Sequence, residues 1–167
     1  MQIIIEKVVA AEAAEILEYL RQVGSETDNL TFGAEGLPFS VAEEARYITQ
    51  LENSSDEVMF AAKADGKIVG IASLSRLPRR MNHRGELAIS VMRSHWNRGI
   101  GSRLMEQLIA FAKKNAFEFI DLQVRSDNSS AIHLYSKYGF QKIGTHPAFF
   151  KVENKHVPCD FMYLQVS

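Results

Sequence analysis

Ser90 to Leu108 reads SVMRSHWNRGIGSRLMEQL, and the fold turns on how this stretch is read. It follows an apolar run, Leu87-Ala-Ile-Ser-Val-Met92. A polar segment then leads to Arg98-Gly99-Ile100-Gly101-Ser102, after which apolar residues recur at Ile100, Leu104, Leu108 and Phe111. The order is strand, Gly-rich turn, helix, because a spacing of three to four gathers those side chains on one helical face. The two glycines let a backbone pass close to a bulky ligand. The helix start offers free N–H groups and the positive end of its dipole, which suits a phosphate. Taken alone the turn is equally a tight connection before a core helix. The dinucleotide fingerprint lacks its third glycine, since Leu104 stands there, and the phosphate-loop Gly-Lys-Ser/Thr is missing.

The segment downstream decides between these readings. Asp121-Leu-Gln-Val-Arg-Ser-Asp-Asn128 is a strand leading to a helix start. Ser129-Ser-Ala-Ile-His-Leu-Tyr135-Ser-Lys-Tyr138-Gly139-Phe140 carries a Tyr seven residues after the Asn and stops at Tyr-Gly-Phe. From about Glu57 onward the chain resembles the GNAT superfamily of N-acetyltransferases. The pairing of Arg-Gly-Ile-Gly with Asn-x-x-Ala-x-x-Leu-Tyr-x-x-x-Gly-Phe carries the resemblance. Trp96 departs from the usual Gln or Arg three residues before the first glycine, and is read as a subfamily mark.

The remaining chain fits one α/β domain spanning residues 1–167. Gln2–Val9 reads as a strand and Ala10–Val23 as an amphipathic helix stopped by Gly24. Residues 25–39 read as a loop, and Ser40-Val-Ala-Glu43 as a capping box opening a helix to about Leu51. Asp65-Gly66 joins two strand-like runs, Glu57–Ala64 and Lys67–Leu77, as a hairpin. Arg76–Gly85 reads as an exposed, Arg-rich loop, Glu86–Met92 and Phe117–Arg125 as strands, and the tail as two more strands around Glu153-Asn-Lys155. Hairpins at both ends with helices between them give a mixed, mostly antiparallel sheet of about seven strands with about four helices. The resemblance implies that the two central strands splay to admit the pantetheine arm of acetyl-CoA.

Composition narrows the function further. The 167 residues, 46% hydrophobic, suit one core. No apolar run reaches the ~20 residues of a membrane span, and the N-terminus shows no leader pattern. The lone Cys159 excludes an internal disulfide, so a reducing cytoplasm is the expected compartment. The net charge of −1 hides an asymmetry: residues 1–57 hold 12 acids and 3 bases, and residues 58–167 hold 8 acids and 16 bases. The basic part contains the Gly turn and suits an anionic coenzyme; the acidic part suits a cationic amine, or is simply a Glu-rich exposed face. Without an overall basic excess, nucleic acid is not an expected partner. The scattered histidines suggest no metal.

The resemblance assigns roles residue by residue. Backbone groups of Ile89, Ser90 and Val91 would pair with the pantetheine amides. Asn97, Arg98, Gly99, Ile100, Gly101, Ser102 and Arg103 would hold the pyrophosphate. Asn128 would bond the pantetheine arm. Tyr135 would protonate the leaving thiolate, a task a phenol of pKa ~10 can perform; the alternative is a Tyr on an inner helix face. Glu86 would relay the amine's proton, or else pair with Arg84. Glu26, Asp28, Phe32 and Phe39 are candidate acceptor contacts, each equally readable as an ordinary loop residue. Gln123 stands where ribosomal-protein alanine acetyltransferases carry a Glu, which argues against their substrate class. Cys159 reads as a small core residue rather than a nucleophile. The expected activity is direct acetyl transfer to a primary amine of a small molecule, such as an amine, polyamine or amino acid. A protein or peptide acceptor and a non-catalytic coenzyme A sensor remain open, as does a homodimer.

Overall fold

Apolar-rich runs form the strands, and apolar residues at helical spacing form the helices set among them. The computed structural model describes residues 1–167. The strands are β1 (Ile3–Lys7), β2 (Glu57–Ala64), β3 (Lys67–Arg76), β4 (Arg84–Val91), β5 (Phe119–Arg125), β6 (Gln141–Val152) and β7 (Lys155–Gln165). The helices are α1 (Ala13–Glu26), α2 (Val41–Leu51), α3 (Ile100–Lys114) and α4 (Ser129–Lys137). The seven strands form one sheet in the order β1-β2-β3-β4-β5-β7-β6. All neighbours are antiparallel except β4 and β5, which α3 connects as a crossover.

That parallel pair is the break in the sheet. It is in register only from Arg84–Glu86 against Phe119–Asp121; beyond this, β4 continues to Val91 and β5 to Arg125 without pairing. Local packing fixes where the closed end lies. Gly85 leaves room for Phe117, whose ring would come within 2.5 Å of an added Cβ. Arg84 Nε donates to Asp121 Oδ2 at 2.7 Å across the pair.

Each sheet face carries its own core. Leu104, Met105, Leu108 and Phe111 of α3 pack with Ala72, Leu74, Ile120 and Leu122. On the opposite face Ile16, Tyr19 and Val23 of α1 and Ile48 of α2 cover Ala61 and Ile71. Truncating a fully buried leucine such as Leu104 or Leu108 to alanine costs about 2–5 kcal/mol at such sites. No helix is long and apolar enough to cross a membrane.

Several local readings hold. Asp65 and Gly66 both take positive φ, 49° and 87°, as a two-residue hairpin turn needs. Ser40 Oγ accepts the Glu43 N–H at 3.1 Å and caps α2. Gly24 does not stop α1, which runs on to Glu26. It is buried inside the helix, where an added Cβ would lie 2.1 Å from the Gly33 carbonyl oxygen; the glycine admits the following loop. A 3-10 turn over Ala10–Glu12 precedes α1. Arg76 is the end of β3 rather than part of an exposed loop. Its guanidinium lies 3.9 Å from the Phe117 ring centroid and donates to Asp56 and to the Asn82 and Asn115 carbonyls.

Candidate active site

The register of β4 determines what it offers at the break. Met92 N–H donates to the Val69 carbonyl and Leu77 N–H to the Arg84 carbonyl, both toward or from β3. Alternation along an antiparallel pair therefore turns the backbone groups of Glu86, Ala88 and Ser90 toward β3. Those of Ile89 and Val91 turn into the opening. Of the three residues expected to present backbone bonds, Ser90 is committed elsewhere, and its hydroxyl lies 3.0 Å from the Tyr19 hydroxyl. Val91 presents its N–H freely, while its carbonyl accepts the Trp96 indole N–H at 2.8 Å. Trp96 thus braces the turn to the end of β4, and the Arg93 guanidinium sits over its ring at 5.5 Å.

The opening leads into a cleft of about 1,380 Å³. One end is the turn into α3. Asn97 and Gly99 both adopt positive φ, 60° and 75°, and Gly99 caps the helix without any side-chain acceptor. The N–H groups of Ile100, Gly101 and Ser102 therefore face outward at the positive end of a 15-residue helix. Gly101 also sits against α4; an added Cβ would meet Leu134 Cδ2 at 3.1 Å. Arg98 and Arg103 turn away from the cleft. The Arg98 guanidinium faces the Met1 sulfur at 3.6 Å, and the Arg103 guanidinium donates to the Ile3 carbonyl at 2.9 Å.

The α4 side supplies Asn128 and Tyr135. Asn128 caps α4, its side-chain oxygen accepting the Ala131 N–H at 3.3 Å, which leaves its amide NH₂ for a partner in the cleft. Tyr135 is 5% exposed, borders the cleft and stacks at 5.7 Å on Phe140. Burial pushes its hydroxyl up to about 12, so it holds its proton at neutral pH and has one to donate.

The other end of the cleft borders the α1–α2 segment. The half-buried Glu86 lines the cleft, paired in register with Asp121, as does the exposed Gln123 two residues further along β5. Arg84 pairs with Asp121, so Glu86 is not held in the ion pair that would have given it a purely structural role. Glu26, Asp28 and Phe32 line the cleft, whereas Phe39 lines a neighbouring cavity. Two arginines strap this segment over the break. Arg93, just past β4, donates its backbone N–H to Glu26 Oε1 at 3.2 Å and its guanidinium to the Glu26 carbonyl. Arg125, at the end of β5, donates to the Asp28 carbonyl at 3.3 Å. Phe149 and Phe150 of β6 close the far wall. Sequence reading missed the strap, the Tyr19–Ser90 bond and these phenylalanines, all products of tertiary packing. Cys159 is wholly buried outside the cleft, and burial with the nearby Asp160 charge pushes its thiol up to about 11.

The acetyltransferase (GNAT) family model matches residues 25–140 of the chain. The chain belongs to this family. Its fold is that of the GNAT-family acetyltransferase of Streptococcus pneumoniae, with a TM-score of 0.95, 28% identity, and coverage of 98% of this chain and 99% of that one. Two named relatives differ in acceptor. The N-alpha-acetyltransferase RimI of Mycobacterium tuberculosis is 37% identical over 54% of this chain and 56% of its own length. The L-amino acid N-acetyltransferase AaaT of Escherichia coli is 33% identical over 62% and 65%. The chain thus spans 56% and 65% of the length of these two curated relatives. The structure of yncA from Salmonella typhimurium with its cofactor acetyl-CoA shares the fold at a TM-score of 0.87 and 18% identity, covering 100% of this chain and 95% of that one.

Proposed function

We propose that this protein transfers the acetyl group of acetyl-CoA to the primary amine of a small molecule, directly, with both substrates bound. The observation carrying this reading is the break between β4 and β5. An unpaired strand edge, an outward-facing helix start and a protonated Tyr135 border one cleft. Acetyl-CoA supplies an activated thioester. The chain's own groups fit it: Ile89 and the Val91 N–H offer strand-like bonds, the N–H groups of Ile100–Ser102 suit a pyrophosphate, and Asn128 offers an amide.

The chemistry follows from the groups at hand. An N–H aimed into the opening from Val91 stabilises negative charge on the carbonyl oxygen. Glu86, on the acceptor side, accepts the proton shed by the amine, directly or through water, while Tyr135 donates one to the departing sulfur. No nucleophile is needed for this route, and Cys159 is buried away from the cleft.

A protein N-terminus is the second reading, supported by the similarity to RimI. Gln123 in place of a carboxylate and the strap across the cleft mouth favour a small acceptor instead. The test is acetyl-CoA turnover, read as thiol release, with amines, polyamines, amino acids and peptides, and mass spectrometry of the product. Acetylated small amine is expected. Turnover of peptides alone would replace this reading with the second, and tight coenzyme binding without turnover of any acceptor would leave a sensor.

A further inference from the structure

A second cavity, of about 580 Å³, lies between α1, the segment 30–39, α2 and the sheet. It is continuous with the cleft: Leu30, Phe32, Ser73, Ala88, Ile89 and Ser90 border both. Three of the shared residues, Ala88, Ile89 and Ser90, belong to β4 beside its opening, where an amine must stand to reach the thioester. Beyond them the walls become hydrocarbon, with Ile16, Leu20, Leu37, Phe39, Met59 and Ile71. Its volume falls within the ~300–1,000 Å³ of small-molecule sites.

Two acids of α2 interrupt this lining, the exposed Glu43 at its rim and the buried Glu44, while Ser73 and Ser90 stand on the shared border. Glu44 is 5% exposed, and neither hydrogen bond nor ion pair holds its carboxyl. The neighbouring Tyr47 hydroxyl is engaged instead, donating to Glu57 at 2.8 Å. Burial alone acts on the Glu44 carboxyl and pushes its pKa up. No side-chain oxygen is sealed from solvent without a partner, so the Glu44 carboxyl is met by water in the cavity, and a ligand that displaces that water gains by supplying a donor. The signal was present in the sequence: Glu44, Ile48 and Leu51 follow one another at helical spacing, so the acid lies on the inner face of α2.

The geometry points to an acceptor with a bulky apolar body, aromatic or branched, that fills this cavity. Its amino group stands at the β4 opening and a neutral hydrogen-bond donor, such as a hydroxyl, meets Glu44. This rests on the acetyl-transfer reading and names the substrate class for it. A flexible diamine would leave the hydrocarbon walls in water. Free glycine would leave the cavity empty.

The experiment compares tyramine, phenethylamine, 1,4-diaminobutane, glycine and an alanyl peptide by kcat/KM with saturating acetyl-CoA. Tyramine should exceed phenethylamine by about tenfold, and phenethylamine should exceed diaminobutane and glycine by at least about tenfold. Glu44→Leu should erase the tyramine advantage by raising its KM, leaving phenethylamine and the KM for acetyl-CoA unchanged; Glu44→Gln should restore part of it. Preference for diaminobutane, glycine or the peptide would overturn the inference while leaving acetyl transfer intact. So would Glu44→Leu kinetics equal to wild type with every amine, which would make Glu44 a helix-start charge. Calorimetric titration of tyramine separates the two readings. Binding that Glu44→Leu abolishes, with no amine turned over by wild type, would keep the pocket and reject transfer; no tyramine binding in wild type would reject the pocket.

Discussion

Tyr135 and Glu86 line the same cleft, and the proposed reaction asks opposite proton transfers of them. Tyr135 is enclosed and holds its proton to about pH 12, so its donation to a thiolate does not fade in the working range. Tyr135→Phe should lower kcat by ~10²-fold with coenzyme affinity nearly unchanged, measured by steady-state kinetics and calorimetry. Full kcat in that variant would remove the acid assignment. Glu86→Gln should depress kcat/KM most at low pH, where an alkylamine of pKa ~10 is rarely neutral. A pH–rate profile superimposable on wild type would leave Glu86 without a catalytic role. Burial raises the hydroxyls of Tyr19 and Tyr135 in the same direction. The unfolded chain ionises its tyrosines near pH ~10, while the folded Tyr135 resists until about 12. The unfolded state therefore binds fewer protons across that interval, and stability falls as pH rises through it. Urea midpoints from pH 9 to 12 should fall less steeply in Tyr135→Phe than in wild type.

At the scale of elements, the turn into α3 has two duties. Its outward N–H groups are offered to an anion, and its second glycine lets α4 lie close. Gly101→Val should therefore weaken acetyl-CoA binding at least about tenfold, ~1.4 kcal/mol, by calorimetry. Because the added carbons also meet Leu134, the melting temperature should fall too. Unchanged affinity would mean that the pyrophosphate is held elsewhere. The turn, the Asp65-Gly66 hairpin and the Ser40 cap were legible in the sequence because short-range rules govern them. Gly24 was misread for the complementary reason. A glycine near a helix end suggests a stop, yet its use here is to admit the Gly33 carbonyl from a loop nine residues on. Arg76 looked like loop charge because nothing local announces that Phe117 will lie beneath it. The family resemblance pointed to Tyr135, Asn128 and the turn, but Arg98 and Arg103 reach backward to Met1 and Ile3, contacts roughly one hundred residues away in sequence.

Across the whole molecule, charge and topology divide the chain in related ways. The acidic N-terminal part supplies α1, α2 and one end of the cleft, and the basic remainder supplies the β4–β5 break and the turn into α3. The strap joins them, since Arg93, just past β4, and Arg125, at the end of β5, both hold the Glu26–Asp28 segment. Sequence reading could assign the halves their charges but not their meeting point, which depends on strand order.

The short register between β4 and β5 makes the sheet two plates joined by a seam of three residue pairs. A ladder with rungs left out is free to flex where they are missing, and a ligand that bonds there replaces the rungs. Acetyl-CoA should then act as an interstrand staple as well as a reactant. In hydrogen exchange, its addition should slow the amides of Ile89 and Val91 far more than those of Ala88 and Ser90, whose partners on β3 are already in place. Uniform slowing along β4 would mean that the coenzyme stiffens the protein from a distance instead of completing its sheet.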